Sequence, residues 1–96
     1  MNLIMANALQ REISIVNKLG LHLRAAAQFV QLSGRFSCDV WVSKDGRRVN
    51  GKSIMGVMTL VAVKGCVLTV EAEGDRAAEC LDALAKLASD KFGEKE

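Results

Sequence analysis

The chain has 96 residues, half of them hydrophobic and a quarter charged, which predicts one globular domain with a modest core rather than a disordered segment. Its formal net charge is only +2. Because neither a basic stripe nor stacking aromatic residues accompany that charge, the composition argues against a nucleic-acid binder or a membrane-surface protein. No apolar run approaches the roughly 20 residues that a membrane span needs.

The first ten residues, Met1–Gln10, lack the basic start and the cleavage site of a secretory signal. We interpret them as a flexible leader ahead of a cytoplasmic domain over residues 11–96. Ile13 and Ile15 alternate with polar residues, which predicts a strand over Arg11–Asn17.

Helical spacing begins directly after that strand. It predicts a helix over Leu23–Ser33 with Gly34 as its stop. The side of this helix that we expect to be buried holds Leu23, Ala26, Val30 and Ser33.

The middle of the chain predicts a hairpin followed by a short helix. Residues 36–43 alternate as a strand, Asp45-Gly46 is a turn signal, and Arg47–Asn50 predicts the returning strand. The stretch Ser53–Val63 is apolar nearly all round. Ser53 stands directly before the apolar run and Gly65 follows it, and the two residues indicate the start and the end of a helix.

The last third predicts one strand and the longest helix. Alternation indicates a strand over Cys66–Ala72, and Asp75–Phe92 has a helical stripe, an Asp82–Lys86 pair and Gly93 as its stop. The predicted order is therefore β-α-β-β-α-β-α, which is typical of a two-layer α+β domain with helices on one face of an antiparallel sheet.

Three cysteines, Cys38, Cys66 and Cys80, are widely separated and lack C-x-x-C spacing. This pattern predicts buried thiols in a reducing compartment rather than a disulfide framework or a zinc site. With a single histidine in the chain, we expect neither a metal nor a cofactor.

That histidine, His22, stands where the first strand gives way to the first helix, with Arg24 two residues on. At an N-cap position, the backbone amides of Leu23 and Arg24 and the positive end of the helix dipole would attract an anion and leave the ring neutral and nucleophilic. Arg24 could donate to phosphoryl oxygens. A phosphate-handling histidine is one interpretation, and a capping histidine without chemistry is the other.

Two motifs resemble one family. Residues 20–26, GLHLRAA, resemble the G-x-H-A-R-P-A motif of HPr, the histidine-containing phosphocarriers of the bacterial phosphoenolpyruvate:sugar phosphotransferase system. Residues 52–60, KSIMGVMTL, resemble that family's K-S-I-M-G-V-M-S-L segment. The resemblance covers residues 12–92 and implies an open-faced β-sandwich with a four-stranded antiparallel sheet and three helices. It also implies a carrier rather than an enzyme.

The resemblance further implies a mechanism. Enzyme I would phosphorylate Nδ1 of His22, and the group would pass to an enzyme IIA domain, with Arg24 matching the family arginine. Ser53 would be the target of a serine kinase (HPr kinase/phosphorylase) where one exists, besides capping its helix. We expect these partners to dock at Ile54, Met55 and Met58. We also expect the carrier to be a monomer.

Three residues depart from the family pattern around the histidine. Leu19 replaces a hydroxyl residue, Leu23 a small residue and Ala25 the motif proline. These changes bear on phosphohistidine lifetime and partner choice, because none of them removes the nucleophile. A regulatory docking module without phosphotransfer stays an alternative. The branch of the family also stays open, because residues 17–20 (NKLG) resemble the nitrogen-related branch whereas residues 52–56 resemble the sugar branch.

Overall fold

The computed structural model describes residues 8–96, and its elements follow the predicted order. They are β1 (Ala8–Ser14), α1 (Leu23–Ser33), β2 (Asp39–Lys44), β3 (Arg47–Asn50), α2 (Ile54–Met58), β4 (Val67–Glu73) and α3 (Ala77–Ser89). The four strands form one antiparallel sheet in the order β1-β4-β2-β3. With three helices, this is the two-layer α+β fold that the sequence predicted. No helix over residues 8–96 has both the length and the apolar character needed to cross a bilayer.

The first strand is displaced from its predicted bounds. It begins at Ala8 and ends at Ser14, so Ala8–Gln10 pair with β4 and do not belong to a leader. The predicted boundary between residues 10 and 11 was therefore wrong, while residues 1–7 lie outside the described part. Asn17, which we placed in the strand, is fully buried in the loop that follows, because its side chain bonds to that loop rather than to the sheet.

The first helix has the predicted bounds. Of its four predicted buried residues, Ala26 and Ser33 are buried, Val30 is half-buried and Leu23 is exposed. Its buried residues are Ala25, Ala26, Phe29 and Ser33. Phe29 supplies the bulk of this face, and Ser33 donates a hydrogen bond to the Gly51 carbonyl at 2.7 Å. Leu23 is 63% exposed, so its predicted burial was wrong; it is the first residue of the helix and follows the N-cap His22 directly.

The hairpin forms as predicted, with positive φ at both Asp45 and Gly46, the geometry of a two-residue turn that matches strand twist. The following helix is much shorter than predicted. It ends at Met58, after which the amides of Leu60 and Val61 donate to the third residue back instead of the fourth. Val61 then takes a left-handed φ of 50°, which a helix cannot continue through. Gly65 therefore ends no helix, and its amide donates to the Ile15 carbonyl at 2.8 Å.

The last helix buries Ala77, Leu81, Leu84 and Ala88, as its stripe predicted. The predicted Asp82–Lys86 pair was wrong. Asp82 instead contacts Arg11 of β1 at 2.5 Å, and Lys86 lies 3.7 Å from Asp90. The cysteines are free thiols; Cys38 and Cys80 are buried, whereas Cys66, just before β4, is half-buried.

Candidate functional site

The loop between β1 and α1 places the histidine. Gly20 takes a φ of +69°, and its amide donates to the Asn17 carbonyl at 3.1 Å. Leu21 then donates to the Ala62 carbonyl at 2.8 Å, which ties the loop to the segment after α2. The chain therefore enters α1 at a fixed angle, with one side of the turn closed by backbone.

His22 is the N-cap residue of α1, as predicted. Its carbonyl accepts from the Ala26 amide at 2.8 Å, while its side chain makes no capping hydrogen bond. The ring is 27% exposed, so it lies at the surface beside the positive end of an 11-residue helix. This position supports an anion on the ring and leaves the ring reachable.

A second contact to the ring comes from the end of the chain. Lys91, Phe92 and Gly93 all have positive φ, and this left-handed turn directs the chain back toward α1. Phe92 is buried there. Non-glycine residues hold such conformations at a cost of about 1 kcal/mol or more each, and persist in them only where the surroundings fix them. The turn delivers Glu94 to the histidine.

Glu94 joins His22 to Asn17. One carboxylate oxygen, Oε2, contacts Nε2 of His22, and the other, Oε1, accepts from Nδ2 of Asn17 at 2.9 Å. The same Asn17 amide donates to the Gly20 carbonyl at 2.8 Å. The hydrogen bonds from Asn17 and then His22, together with the charge of Arg24, hold the pKa of the Glu94 carboxyl below its usual range. Glu94 is therefore an anion against the ring.

A charged recess of about 440 Å³ opens beside this contact. Three cations, Lys18, Arg24 and Lys95, line it with Glu94 and Glu96. Arg24, which the sequence analysis named, is exposed. It lines this recess together with Glu94, the residue that contacts His22. The recess can attract a phosphoryl group, since guanidinium and ammonium groups outnumber the carboxylate side chains that line it.

His22 also lines an apolar depression. This shallow depression of about 300 Å³ has His22 on one wall and these residues on the others: Leu19, Leu21, Met58, Val61, Ala62 and Val63. Leu19, Leu23, Met55, Val61 and Val63 are all more than half exposed, and we call these five the apolar rim. Ile54 and Met58 are half-buried against the core, so of the three residues named from the sequence for docking, Met55 presents the most surface.

Ser53 caps α2 as predicted: its Oγ accepts from the Gly56 amide at 3.1 Å. It lines neither the charged recess nor the apolar depression. No cluster of three metal-ligating side chains occurs in the described range.

Sequence reasoning missed Asn17 and Glu94. Asn17 carried a weak signal, because it is a polar residue that continues the alternation of Ile13 and Ile15 along the predicted strand. Glu94 carried none, because it follows the last glycine and lies 72 residues from the histidine.

Fold and site together define an open-faced α+β sandwich that presents one helix-capping histidine near a cationic recess and an apolar depression. The family model described as "PTS HPr component phosphorylation site" matches residues 9–90. The phosphocarrier protein HPr of Neisseria meningitidis is 50% identical over 88 residues, covering 92% of this chain and 99% of that protein. The chain belongs to the HPr family, the phosphocarriers of the phosphotransferase system, which are carriers and not enzymes.

Solved structures agree with this assignment. HPr from Thermoanaerobacter tengcongensis superposes with a TM-score of 0.88 at 48% identity, over 92% of this chain and 99% of that chain. A dimer of HPr from the same organism matches with a TM-score of 0.73 at 51% identity, over 85% and 94% of the two chains. Dimers therefore occur among the relatives, and the expected monomer stays a prediction.

Proposed function

We propose that His22 accepts a phosphoryl group on Nδ1 from phosphorylated enzyme I and passes it to an enzyme IIA domain. The observation that carries this proposal is the position of the histidine: a partly exposed ring at the N-terminus of α1 beside a recess that holds Arg24. The chain has no other histidine, so every phosphohistidine that it forms is at this residue.

The surroundings suit a carrier, which must hold the group and then release it. The helix N-terminus favours a negative group by about 0.3–1 kcal/mol, a modest amount that does not trap it. Arg24 is exposed, and its guanidinium can turn toward phosphoryl oxygens as they arrive and away as they leave. The amides of Leu23 and Arg24, at the start of α1, complete the proposed phosphate cradle.

Partners would dock on the apolar surface. Met55 is 75% exposed, and Ile54 and Met58 lie on the same short helix. An unbranched methionine side chain can adapt to the surfaces of different partners. Leu23 and Leu19 extend this surface around the ring, so the departures from the family motif add apolar contact area where enzyme I and enzyme IIA would approach.

Phosphorylation with phosphoenolpyruvate and enzyme I tests the proposal. We expect acid-labile, base-stable phosphate on the wild-type chain, on Nδ1 by NMR, and its transfer to an enzyme IIA. His22→Ala should abolish it, with unchanged thermal unfolding showing that the variant folds. A wild-type chain that binds enzyme I but gains no phosphate would contradict the carrier function and favour a docking module instead.

Ser53 is proposed as a regulatory phosphorylation site. Its hydroxyl accepts one hydrogen bond, and a phosphate there would add about −1.5 to −2 charges next to the docking helix. Incubation with an HPr serine kinase and ATP should give acid-stable phosphate on the wild type and none on Ser53→Ala, and should weaken binding to enzyme I. Modification at another residue, or binding that stays unchanged, would contradict the regulatory role.

We propose a cytoplasmic, monomeric carrier that needs no cofactor. The sugar and nitrogen-related branches differ in their enzyme IIA, so the acceptor that takes the phosphoryl group fastest would assign this chain to one of them.

A further inference from the structure

The histidine ring has two nitrogens, and only the one that carries no proton can attack phosphorus. In the described part of the chain, the side-chain partner of the ring is Glu94, through Nε2. A carboxylate accepts hydrogen bonds and donates none when ionised. The contact therefore requires Nε2 to carry the proton.

We propose that Glu94 is a positioning residue for phosphoryl transfer, which fixes the neutral ring of His22 as the Nε2–H tautomer and so leaves the lone pair on Nδ1. This inference rests on the proposed function. In the transfer, the Nδ1–P bond forms as the nitrogen–phosphorus bond of the donor phosphohistidine breaks and the donor ring keeps the electron pair. The proton stays on Nε2, where Glu94 offsets the positive charge that develops on the ring.

Three observations show that Glu94 is held for this contact. Its side chain is only 9% exposed, although it lies near the end of the described chain. Asn17, itself fully buried, donates to the oxygen that the histidine does not use. The left-handed turn at Lys91–Gly93 and the bond from the Lys18 amide to the Glu96 carbonyl at 2.7 Å bracket the residue on both sides.

The other charged groups near the ring do not duplicate this role. Arg24, Lys18 and Lys95 line the same recess, but they are donors and cannot accept from Nε2–H. Glu96 also lines the recess, yet its side chain accepts no hydrogen bond from the ring within residues 8–96. Glu12 of β1 is exposed and lines neither the recess nor the apolar depression, so it serves as the matched control. The other residues that line the depression with His22 are all apolar and offer the ring no side-chain oxygen or nitrogen acceptor.

NMR of the histidine nitrogens tests the proposal directly. The chain has one histidine, so 15N-histidine labelling gives one pair of ring signals, read at about pH 9, where imidazole is neutral. We expect the Nε2–H tautomer alone in the wild type and in Glu12→Ala, and a mixture of tautomers in Glu94→Ala. Glu94→Gln keeps an acceptor oxygen and should largely restore the wild-type pattern.

Phosphorylation by enzyme I gives the functional readout. We expect the maximal rate to fall at least tenfold in Glu94→Ala and less in Glu94→Gln, with the KM for enzyme I unchanged, and no change in Glu12→Ala. Ring shifts and a rate within twofold of wild type in Glu94→Ala would overturn the proposal. Because the tautomer is measured on the unphosphorylated protein, a wild type that enzyme I fails to phosphorylate would defeat the proposed function without affecting that measurement.

Discussion

Asn17→Asp is expected to destabilise the protein by about 3 kcal/mol or more at neutral pH, a fall of about 15 °C in Tm. The substitution keeps the shape of the side chain but removes the donor that serves the Gly20 carbonyl and Glu94. An ionised carboxylate would then be fully buried against a carbonyl oxygen and a second carboxylate. Such an uncompensated charge is among the costliest single changes in a protein interior.

The loss of stability in Asn17→Asp should depend on pH. Burial beside Glu94 raises the pKa of the introduced carboxyl in the folded state above its unfolded value of about 3.9. The folded variant therefore binds the proton more tightly, and its deficit relative to the wild type should shrink as the pH falls from neutral toward about 4. Recovery is partial, since one O–H can donate to only one of the two acceptors.

Chemical denaturation at several pH values measures both effects. Asn50→Asp is the control, because Asn50 uses its Oδ1 to accept from the Lys52 amide at 2.8 Å, a role that aspartate retains. That variant should lie within about 0.5 kcal/mol of the wild type. A small, pH-independent loss in Asn17→Asp would show that the Asn17 network does not hold the loop.

Gly20→Ala is expected to cost about 3 kcal/mol. An alanine at a φ of +69° loses about 1 kcal/mol to left-handed strain. In addition, its Cβ would lie 2.6 Å from the Ala62 carbonyl oxygen and 3.0 Å from Val63 Cα. These are backbone atoms, so relief requires the loop to shift, which adds an overpacking cost of about 1–3 kcal/mol.

Gly46→Ala is the control that separates the backbone strain from the steric contact with Ala62. Gly46 has a similar φ of +82°, but nothing lies within 4 Å of a Cβ added there. It should therefore lose the strain energy alone, about 1 kcal/mol. Equal losses in the two variants, measured by urea denaturation, would mean that the contact with Ala62 is relieved at no cost.

The features that the sequence predicted correctly depend on residues that are close together along the chain. The hairpin turn at Asp45-Gly46, the N-cap at His22 and the cap at Ser53 follow from local preferences for particular backbone angles and for side-chain acceptors. Hydrophobic spacing predicted the order of the elements and the buried stripe of the last helix. Element ends were less well predicted, because a strand or helix stops where tertiary contacts stop; α2 ends early where Val61 turns to join the apolar rim.

By itself, the sequence determined the fold class, the histidine at the start of the first helix and, through two motifs, the family. The tertiary structure alone decided what surrounds that histidine. Asn17, Glu94 and the apolar rim come together because antiparallel pairing and the left-handed turn at Lys91–Gly93 bring distant segments to one edge of the domain. Periodicity and capping signals act over a few residues, whereas the contact between His22 and Glu94 spans 72, so its existence depends on how the whole chain packs.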